Sequence, residues 1–149
     1  MDTATEFGRL LGPLRRAVLR TRRLEGLPDL PEAQIELLRV LADSGPLAPS
    51  DAAARLNAAP STVSNLVRTM TAAGLVQRTP SATNLRTVQL TASPRALVML
   101  ERYDRISTAA LRHALDNLRP ESRQAIDQAL PALAALLAGL EAAAPGGKD

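Results

Sequence analysis

The segment that most constrains the fold lies in the middle of the chain, where PSDAAARLNAAPSTVSNLVRTMTAAGLVQR has the pattern of two short helices joined by a tight turn. Ser50 can cap a first helix over 51–56, and Asn57 suits the left-handed conformation of a sharp turn. A second helix then begins near Pro60 or Ser61, and Gly74 can end it. This order of residues predicts a helix–turn–helix.

The second helix of this pair has two distinct faces. At 100° per residue its apolar residues share one half of the helical wheel and its polar residues share the other. The polar half contains Ser61, Thr62, Ser64, Asn65, Arg68 and Thr69. Arg68 can bond guanine through two N–H groups, Asn65 can bond adenine, and the first helical amides suit a phosphate. The pattern predicts a helix that is packed on one face and directed at DNA on the other.

The helical pattern fails between residues 75 and 91, directly after this helix. Two short strand-like runs, 75–78 and 87–90, flank a polar turn over 80–84, which predicts a small β-hairpin. Arg78 lies at the base of this hairpin and Arg86 on its arm. A hairpin with two arginines beside a DNA-directed helix can reach the adjacent minor groove or the phosphate backbone.

Helices are predicted on both sides of this central segment. Leu and Ala supply 53 of the 149 residues, whereas Phe7 and Tyr103 are the only aromatic residues, a composition that favours helices. The expected helices cover 5–24 and 31–43 before the segment, and about 94–118 and 120–142 after it. The helix over 94–118 begins with Ser93 as its N-cap and Pro94 as its first residue. The leucine stripes on the flanking helices are either core or dimer interface, and the candidates for an interface are Leu10, Leu14, Leu111, Leu115, Leu130, Leu133 and Leu137.

Positive charge is concentrated in the central segment. The chain carries a net charge of +3, and residues 49–95 hold five arginines against the single acid Asp51, so this part is +4 and the rest sums to −1. Arginine suits phosphate and base-edge contacts, and a basic patch favours a nucleic-acid partner. Codon usage that favours arginine is an alternative source of the composition, although it does not explain where the charge lies.

Several classes of function are disfavoured by the residues that the chain lacks. It has no cysteine and one histidine, His113, so we expect no disulfide, thiol switch, metal site or cofactor. No nucleophile with a base and an orienting group is recognisable, so we expect no enzyme. Charged residues interrupt every long apolar stretch, which predicts a soluble cytoplasmic protein that does not bind membranes.

These motifs closely resemble the MarR family of bacterial winged helix-turn-helix transcriptional regulators. The resemblance rests on LPEAQIELLRVLADSGPL, SDAAARLNAAPSTVSNLV, the phrase AAGLVQR and a wing that ends in LT, and it covers nearly the whole chain. The family's wing-tip D-x-R falls on residues 84–86, so that Asn84 replaces the aspartate and Arg86 keeps the arginine. The return strand is also shorter than usual in the family, and Pro94 stands where glycine is common.

The resemblance implies a mainly α fold, a winged helix-turn-helix domain over 31–94 and a helical dimerisation region formed by 1–30 and 95–149. It also implies a homodimer that binds an inverted repeat in double-stranded DNA, usually as a repressor released by a small ligand. The expected DNA-binding residues are Ser50, Ser61, Thr62, Ser64, Asn65, Arg68, Thr69, Arg78, Asn84 and Arg86.

Two alternatives to this function remain at the level of the sequence. The winged helix can instead dock a protein partner, or the protein can bind DNA constitutively without an effector. If an effector exists, a lipophilic molecule or aromatic acid is expected, because Leu and Ala can line a cleft while Arg15, Arg16 or Arg20 holds the acid. The resemblance places such a pocket where the first and long helices meet the winged domain, without identifying its residues.

Overall fold

The computed structural model describes residues 2–24, 26–84 and 86–143, and the prediction of a mainly α fold with a small hairpin is confirmed over them. The helices and strands follow in the order α1 Thr3–Leu24, α2 Glu32–Ser44, α3 Pro49–Leu56, α4 Pro60–Ala72, β1 Val76–Pro80, β2 Val88–Ala92, α5 Pro94–Asp116 and α6 Pro120–Ala143.

The chain divides into two compact units. Gly26–Arg105 form one unit, here called the winged-helix unit, and Met1–Glu25 with Ile106–Asp149 form the other, here called the helical unit. Residues 95–105, predicted as part of the dimerisation region, pack with the winged-helix unit. The functions assigned to the two parts of the sequence stay predictions.

The core of the winged-helix unit is built from α2, α3, α4, the hairpin and the first part of α5. Its largest fully buried side chains include Leu37, Leu38, Met70, Leu90 and Tyr103. The Tyr103 hydroxyl donates a hydrogen bond to the Pro28 carbonyl, so the one tyrosine of the chain joins α5 to the segment before α2. A buried tyrosine needs such a partner for its hydroxyl group.

The hairpin is antiparallel, and its register pairs Val76 with Ala92 and Pro80 with Val88. Leu47 pairs with Leu90 on the other side of β2. The Leu47 N–H donates to the Leu90 carbonyl at 3.1 Å, and the Leu90 N–H donates to the Leu47 carbonyl at 2.7 Å. β2 therefore lies between β1 and residue 47, with Leu90 in the core. The far end of the hairpin extends from the unit, so residues 82–84 and 86–88 are exposed.

Several boundaries differ from the sequence prediction by one or two residues, and three of these differences involve a proline. Ser50 does not cap α3: the helix starts two residues earlier than predicted, with Ala48 as N-cap and Pro49 in the first turn, because the fixed φ of proline suits that position. Pro31 is the N-cap of α2 and lies just before the helix. Pro80 belongs to β1 and not to the turn, at the last pair of the hairpin.

Ser93 connects the hairpin, α4 and α5, as the predicted cap position suggested. Its side-chain oxygen accepts a bond from the Ala96 N–H at 3.1 Å, and its hydroxyl donates to the Gly74 carbonyl at 2.7 Å. Its own N–H donates to the Leu75 carbonyl at 2.9 Å. One buried residue thus holds the start of α5 against the end of α4.

We expect Ser93→Ala to lower the free energy of unfolding by about 1–2 kcal/mol, because the substitution removes the α5 cap and one partner of the Gly74 carbonyl. Urea unfolding measures the change. Thr108→Ala, on the exposed side of the same helix, is the control and should change stability by less than about 0.5 kcal/mol. Equal values for the two variants would show that the cap contributes nothing.

The helical unit contains α1, α6 and the end of α5. Arg22 Nε donates to Ser107 Oγ at 3.3 Å, which joins α1 to α5, and Arg123 pairs with Asp116 across the α5–α6 turn. None of the α6 residues is buried. Within the described residues, α6 is also the one helix whose length and composition would allow it to cross a membrane. Over the described residues, its leucine and isoleucine side chains are therefore 38–61% exposed.

Candidate nucleic-acid interface

The predicted division of α4 into two faces is present in the structure. Val63, Val67 and Met70 are buried against the rest of the winged-helix unit. All six predicted polar contacts are exposed on this helix: Ser61, Thr62, Ser64, Asn65, Arg68 and Thr69. The structure therefore brings these residues together on one accessible surface, which we call the α4 face.

The turns at both ends of α4 fix how the α4 face is presented. Asn57 adopts φ 51° and ψ 44°, the left-handed conformation predicted for the turn after α3. At the other end Gly74 has φ +75°, with bonds from Leu75 N–H to the Met70 carbonyl and from Gly74 N–H to the Thr71 carbonyl. This is the hydrogen-bond pattern of a Schellman motif. The sequence signals for both turns are confirmed.

The first turn of α4 presents N–H groups at the end of the α4 face. Pro60 has no N–H to donate, and the bond from Val63 N–H to the Ala59 carbonyl, at 3.2 Å, begins the helical series. The amides of Ser61 and Thr62 precede this bond, and amides in a first helical turn have no partner within their helix. Together with the two hydroxyl groups they can bind a phosphate oxygen.

Asn65 and Arg68 bond each other on the α4 face. Arg68 Nη2 donates to Asn65 Oδ1 at 2.5 Å, across one turn of the helix. Both residues are exposed, so the bond lies where a ligand of the α4 face would meet it. The sequence indicated that both residues point outward, but a helical wheel does not show whether two polar side chains bond each other.

The hairpin places its predicted contacts at different distances from the core. Arg78 pairs with Leu90 in the register and therefore shares a face of the sheet with it, yet the arginine side chain is exposed. Arg86 is exposed beyond the end of β1. Ser50 is exposed in the first turn of α3, the helix before the α4 face. The structure thus leaves all of these predicted contacts accessible.

Asn84 organises the tip of the hairpin. Its Oδ1 accepts a hydrogen bond from the Arg86 N–H at 3.0 Å, and its carbonyl accepts bonds from the Thr87 N–H and hydroxyl group. This is an Asx turn, in which the side chain replaces a backbone acceptor. An aspartate could accept the same bond, so the departure from the family's D-x-R preserves the turn and removes one negative charge. Residue 85, between the two, lies outside the described residues.

We expect Asn84→Ala to speed hydrogen exchange at the Arg86 amide by about fivefold, because the amide loses a bond worth about 1 kcal/mol. Asn84→Asp should keep the protection, since a carboxylate oxygen can accept the same bond. Amide exchange measured by NMR on the DNA-free protein separates the two variants. If both variants exchange at the wild-type rate, the Asx bond does not hold the tip.

Two arginines have structural partners that the sequence did not reveal. Arg95 Nη1 donates to the Ala73 carbonyl at 3.1 Å, at the C-terminal end of α4, although its charge was counted in the basic segment. Arg39 forms two bonds with Asp104, at 2.8 and 3.2 Å, and joins α2 to α5. The bond with Asp104 raises the pKa of Arg39. Only an arginine's position in three dimensions distinguishes these roles from DNA contact.

The predicted dimer-interface leucines are not buried in the single chain. Leu115 is half-buried, and the other six are exposed: Leu10, Leu14, Leu111, Leu130, Leu133 and Leu137. His113 is exposed in α5, where its carbonyl accepts a bond from the Asn117 side chain at 3.0 Å. No group of three or more histidine, cysteine or acidic side chains that could hold a metal occurs in the described ranges.

Known proteins share this architecture. YusO from Bacillus subtilis is 22% identical, with a TM-score of 0.65, and the match covers 96% of this chain and 94% of YusO. MepR, a transcription regulator of a Staphylococcus aureus multidrug efflux pump, is 18% identical, with a TM-score of 0.74 and coverage of 92% and 99%. FabT from Streptococcus pneumoniae, solved in complex with DNA, is also 18% identical, with a TM-score of 0.71 and coverage of 92% and 99%.

A search of curated protein sequences found no match. The MarR family model, in contrast, matches residues 26–87, which contain α2, α3, α4 and β1 and end just before β2. The matched segment includes the whole α4 face and the Asn84 turn. The winged helix-turn-helix fold and the family match agree with the resemblance read from the sequence. The winged-helix segment of the chain, residues 26–87, is therefore similar to the MarR family.

Proposed function

We propose that the protein is a homodimeric, sequence-specific DNA-binding transcription regulator, and that it acts as a repressor in the cytoplasm. The observation that carries this proposal is the α4 face, an exposed set of hydroxyl, amide and guanidinium groups on a helix fixed by its opposite face. Among the relatives with this fold, FabT and a MepR variant were solved with DNA bound. The major groove accepts a helix with such a face.

The hairpin supplies the second part of the proposed contact. Arg78 and Arg86 are exposed on it, and no acid lies between residues 52 and 100 to offset their charge. Phosphate contacts position a protein on the duplex, whereas base contacts specify the sequence. We therefore assign Arg78, Arg86, Asn84 and Ser50 to the DNA backbone or the minor groove, and the Asn65–Arg68 pair to the base edges.

Docking of a protein partner is the competing function. Such an interface usually has a centre of aromatic or large apolar residues. The α4 face has none: Ser61, Thr62, Ser64, Asn65 and Arg68 are all small or polar. The chemistry of the exposed residues therefore favours DNA.

A second copy of the chain is the proposed cover for α6. Its exposed apolar residues include Ile126, Leu130, Leu133, Leu137 and Leu140, with spacings of four and three residues that match the 3.5-residue period of paired helices. A bilayer span would be apolar on all sides, whereas Gln124, Asp127 and Gln128 make the start of α6 polar away from this stripe. We include Leu10, Leu14, Leu111 and Leu115 in the same interface.

The proposed release signal is a lipophilic molecule or an aromatic acid, whose acid group would bind Arg15, Arg16 or Arg20. All three are exposed on α1. Such a ligand must bind the DNA-incompetent dimer about 10- to 100-fold better than the competent one to act as a switch. Constitutive DNA binding without an effector is the alternative, and it is favoured if no small molecule releases the protein.

Recovery of bound fragments from the native genome, followed by footprinting, tests the proposal. A dimer with two α4 helices should protect an inverted repeat whose half-site centres lie about 10 base pairs, or a multiple of that, apart. Arg86→Ala should weaken binding to all sequences and lower the slope of log affinity against log salt by about 1. Protection of one asymmetric half-site by a monomer, or recovery of no enriched fragment, would contradict the proposal.

A further inference from the structure

The bond between Asn65 and Arg68 changes what the two side chains can do at a base pair. They lie three residues apart on α4, the spacing at which helical side chains meet. Neither side chain forms a hydrogen bond with another residue of the α4 face. The pair is therefore already formed in the DNA-free protein, before any base is present to order it.

The Arg68 guanidinium retains a complete reading edge within this pair. Arginine has five N–H donors in a plane, and its Nη2 group takes part in both bidentate edges of that plane. One Nη2 hydrogen is directed at Asn65 Oδ1, which leaves two adjacent hydrogens on the other edge. Those two hydrogens are what a guanine O6 and N7 require.

The Asn65 amide is affected in the opposite way. Reading adenine requires the amide oxygen to accept from the base N6 group and the amide nitrogen to donate to N7. Asn65 Oδ1 already accepts from a cationic donor, and a second donor at the same oxygen would lie beside that positive charge. Adenine reading by Asn65 and the Asn65–Arg68 bond therefore compete for one atom.

We propose that Asn65 is a positioning residue for Arg68, and that the two side chains read one guanine as a unit. Asn65 fixes the plane of the guanidinium, so less rotational freedom is lost when Arg68 meets the base. The specificity of the α4 face at this position then belongs to Arg68. This inference rests on the proposed DNA-binding function and names the base that the site recognises.

Base-substituted operators test this proposal on the full-length protein. One operator carries guanine at the base pair that Arg68 contacts, and the others carry a different base there. We expect the wild-type protein to bind the guanine operator about 10- to 100-fold more tightly than the others, the range for a bidentate contact. Asn65→Ala should reduce this ratio by about 2- to 10-fold, because Arg68 must then be ordered by the base alone. In the Arg68→Ala background, Asn65→Ala should change base preference at no position.

Asn65→Asp separates positioning from adenine reading. The carboxylate keeps an acceptor for Arg68 but has no N–H group to donate to adenine N7. We expect this variant to bind every sequence more weakly, because it adds a negative charge near phosphates, yet to retain the wild-type guanine ratio. The added charge weakens binding to every operator alike, so its effect cancels in the ratio of affinities for two operators. A structural defect alone would not leave that ratio at its wild-type value. Thr71→Ala, exposed on the same helix but outside the α4 face, is the control and should leave the ratio unchanged.

The possible outcomes distinguish this inference from the proposed function. If Asn65→Ala alters preference at a separate adenine, equally with and without Arg68, Asn65 reads that base independently and the inference is wrong. If Asn65→Asp loses the guanine ratio, positioning through the acceptor oxygen is also wrong. In both cases the protein still selects a DNA sequence and the proposed function stands. If wild type selects no sequence, both fail.

Discussion

Replacing Leu133 and Leu137 together by glutamine is expected to separate the protomers. Both leucines are exposed in the single chain, by 38% and 57%, and they lie one turn apart on the α6 stripe. A leucine buried at an interface contributes about 1.5–3 kcal/mol, and twofold symmetry makes each replacement count twice. A loss of about 4 kcal/mol or more raises the dimer dissociation constant roughly thousandfold. Sedimentation at micromolar concentration should then show a monomer.

The same variant should lose operator binding, because a monomer can occupy only one half-site. The matched control is Ala135→Gln with Ala142→Gln, two exposed positions on the side of α6 opposite the stripe. This control adds the same polar groups and should remain a dimer. An unchanged mass for the leucine variant would place the interface elsewhere. A wild-type monomer that floats with lipid vesicles would instead assign α6 to a membrane.

Local sequence signals predicted the parts of this fold that depend on backbone conformation. Asn57 and Gly74 mark left-handed turns, and Ser93 before Pro94 marks the start of a helix, because few residue types suit those positions. The two faces of α4 followed from helical periodicity. The Ser50 cap was predicted wrongly because Pro49 and Ser50 both suit a helix start, and proline at the first helical position prevailed.

Side-chain partners could not be predicted in the same way. Arg68, Arg86 and Arg95 are equivalent in a charge count, yet Arg68 bonds Asn65 and Arg95 bonds the Ala73 carbonyl. These choices depend on rotamers and on segments distant in sequence. The exposure of α6 is a separate case. Its periodicity predicts a partner helix, but periodicity does not show whether that helix lies in the same chain or in another molecule.

The positive charge of the central segment therefore divides into two kinds. Arg95 is held at the end of α4, where a cation also stabilises the carbonyl end of the helix. Arg68, Arg78 and Arg86 are exposed on the α4 face and the hairpin. Arg95 is also exposed, so the two kinds differ in the bond that Arg95 makes to a backbone carbonyl and not in accessibility.

The second large effect is expected on the buried side of α4. Met70→Ala should lower the free energy of unfolding by about 2–5 kcal/mol, since Met70 is fully buried and its truncation leaves a cavity. Arg68→Ala, two residues earlier on the exposed side, should change stability by less than about 0.5 kcal/mol. Urea unfolding of the two variants gives both numbers.

DNA binding should rank the same two variants in the opposite order. At a temperature where both are folded, Met70→Ala should keep the ratio of cognate to random affinity, because no exposed group of the α4 face is altered. Arg68→Ala should lose about 1–3 kcal/mol on the cognate site and little on random DNA. Titration of both DNAs at one fixed salt concentration measures the ratio. If Arg68→Ala weakened both DNAs equally, Arg68 would contact phosphate and not a base. If Met70→Ala altered the ratio, the buried face of α4 would also determine which sequence the exposed face reads.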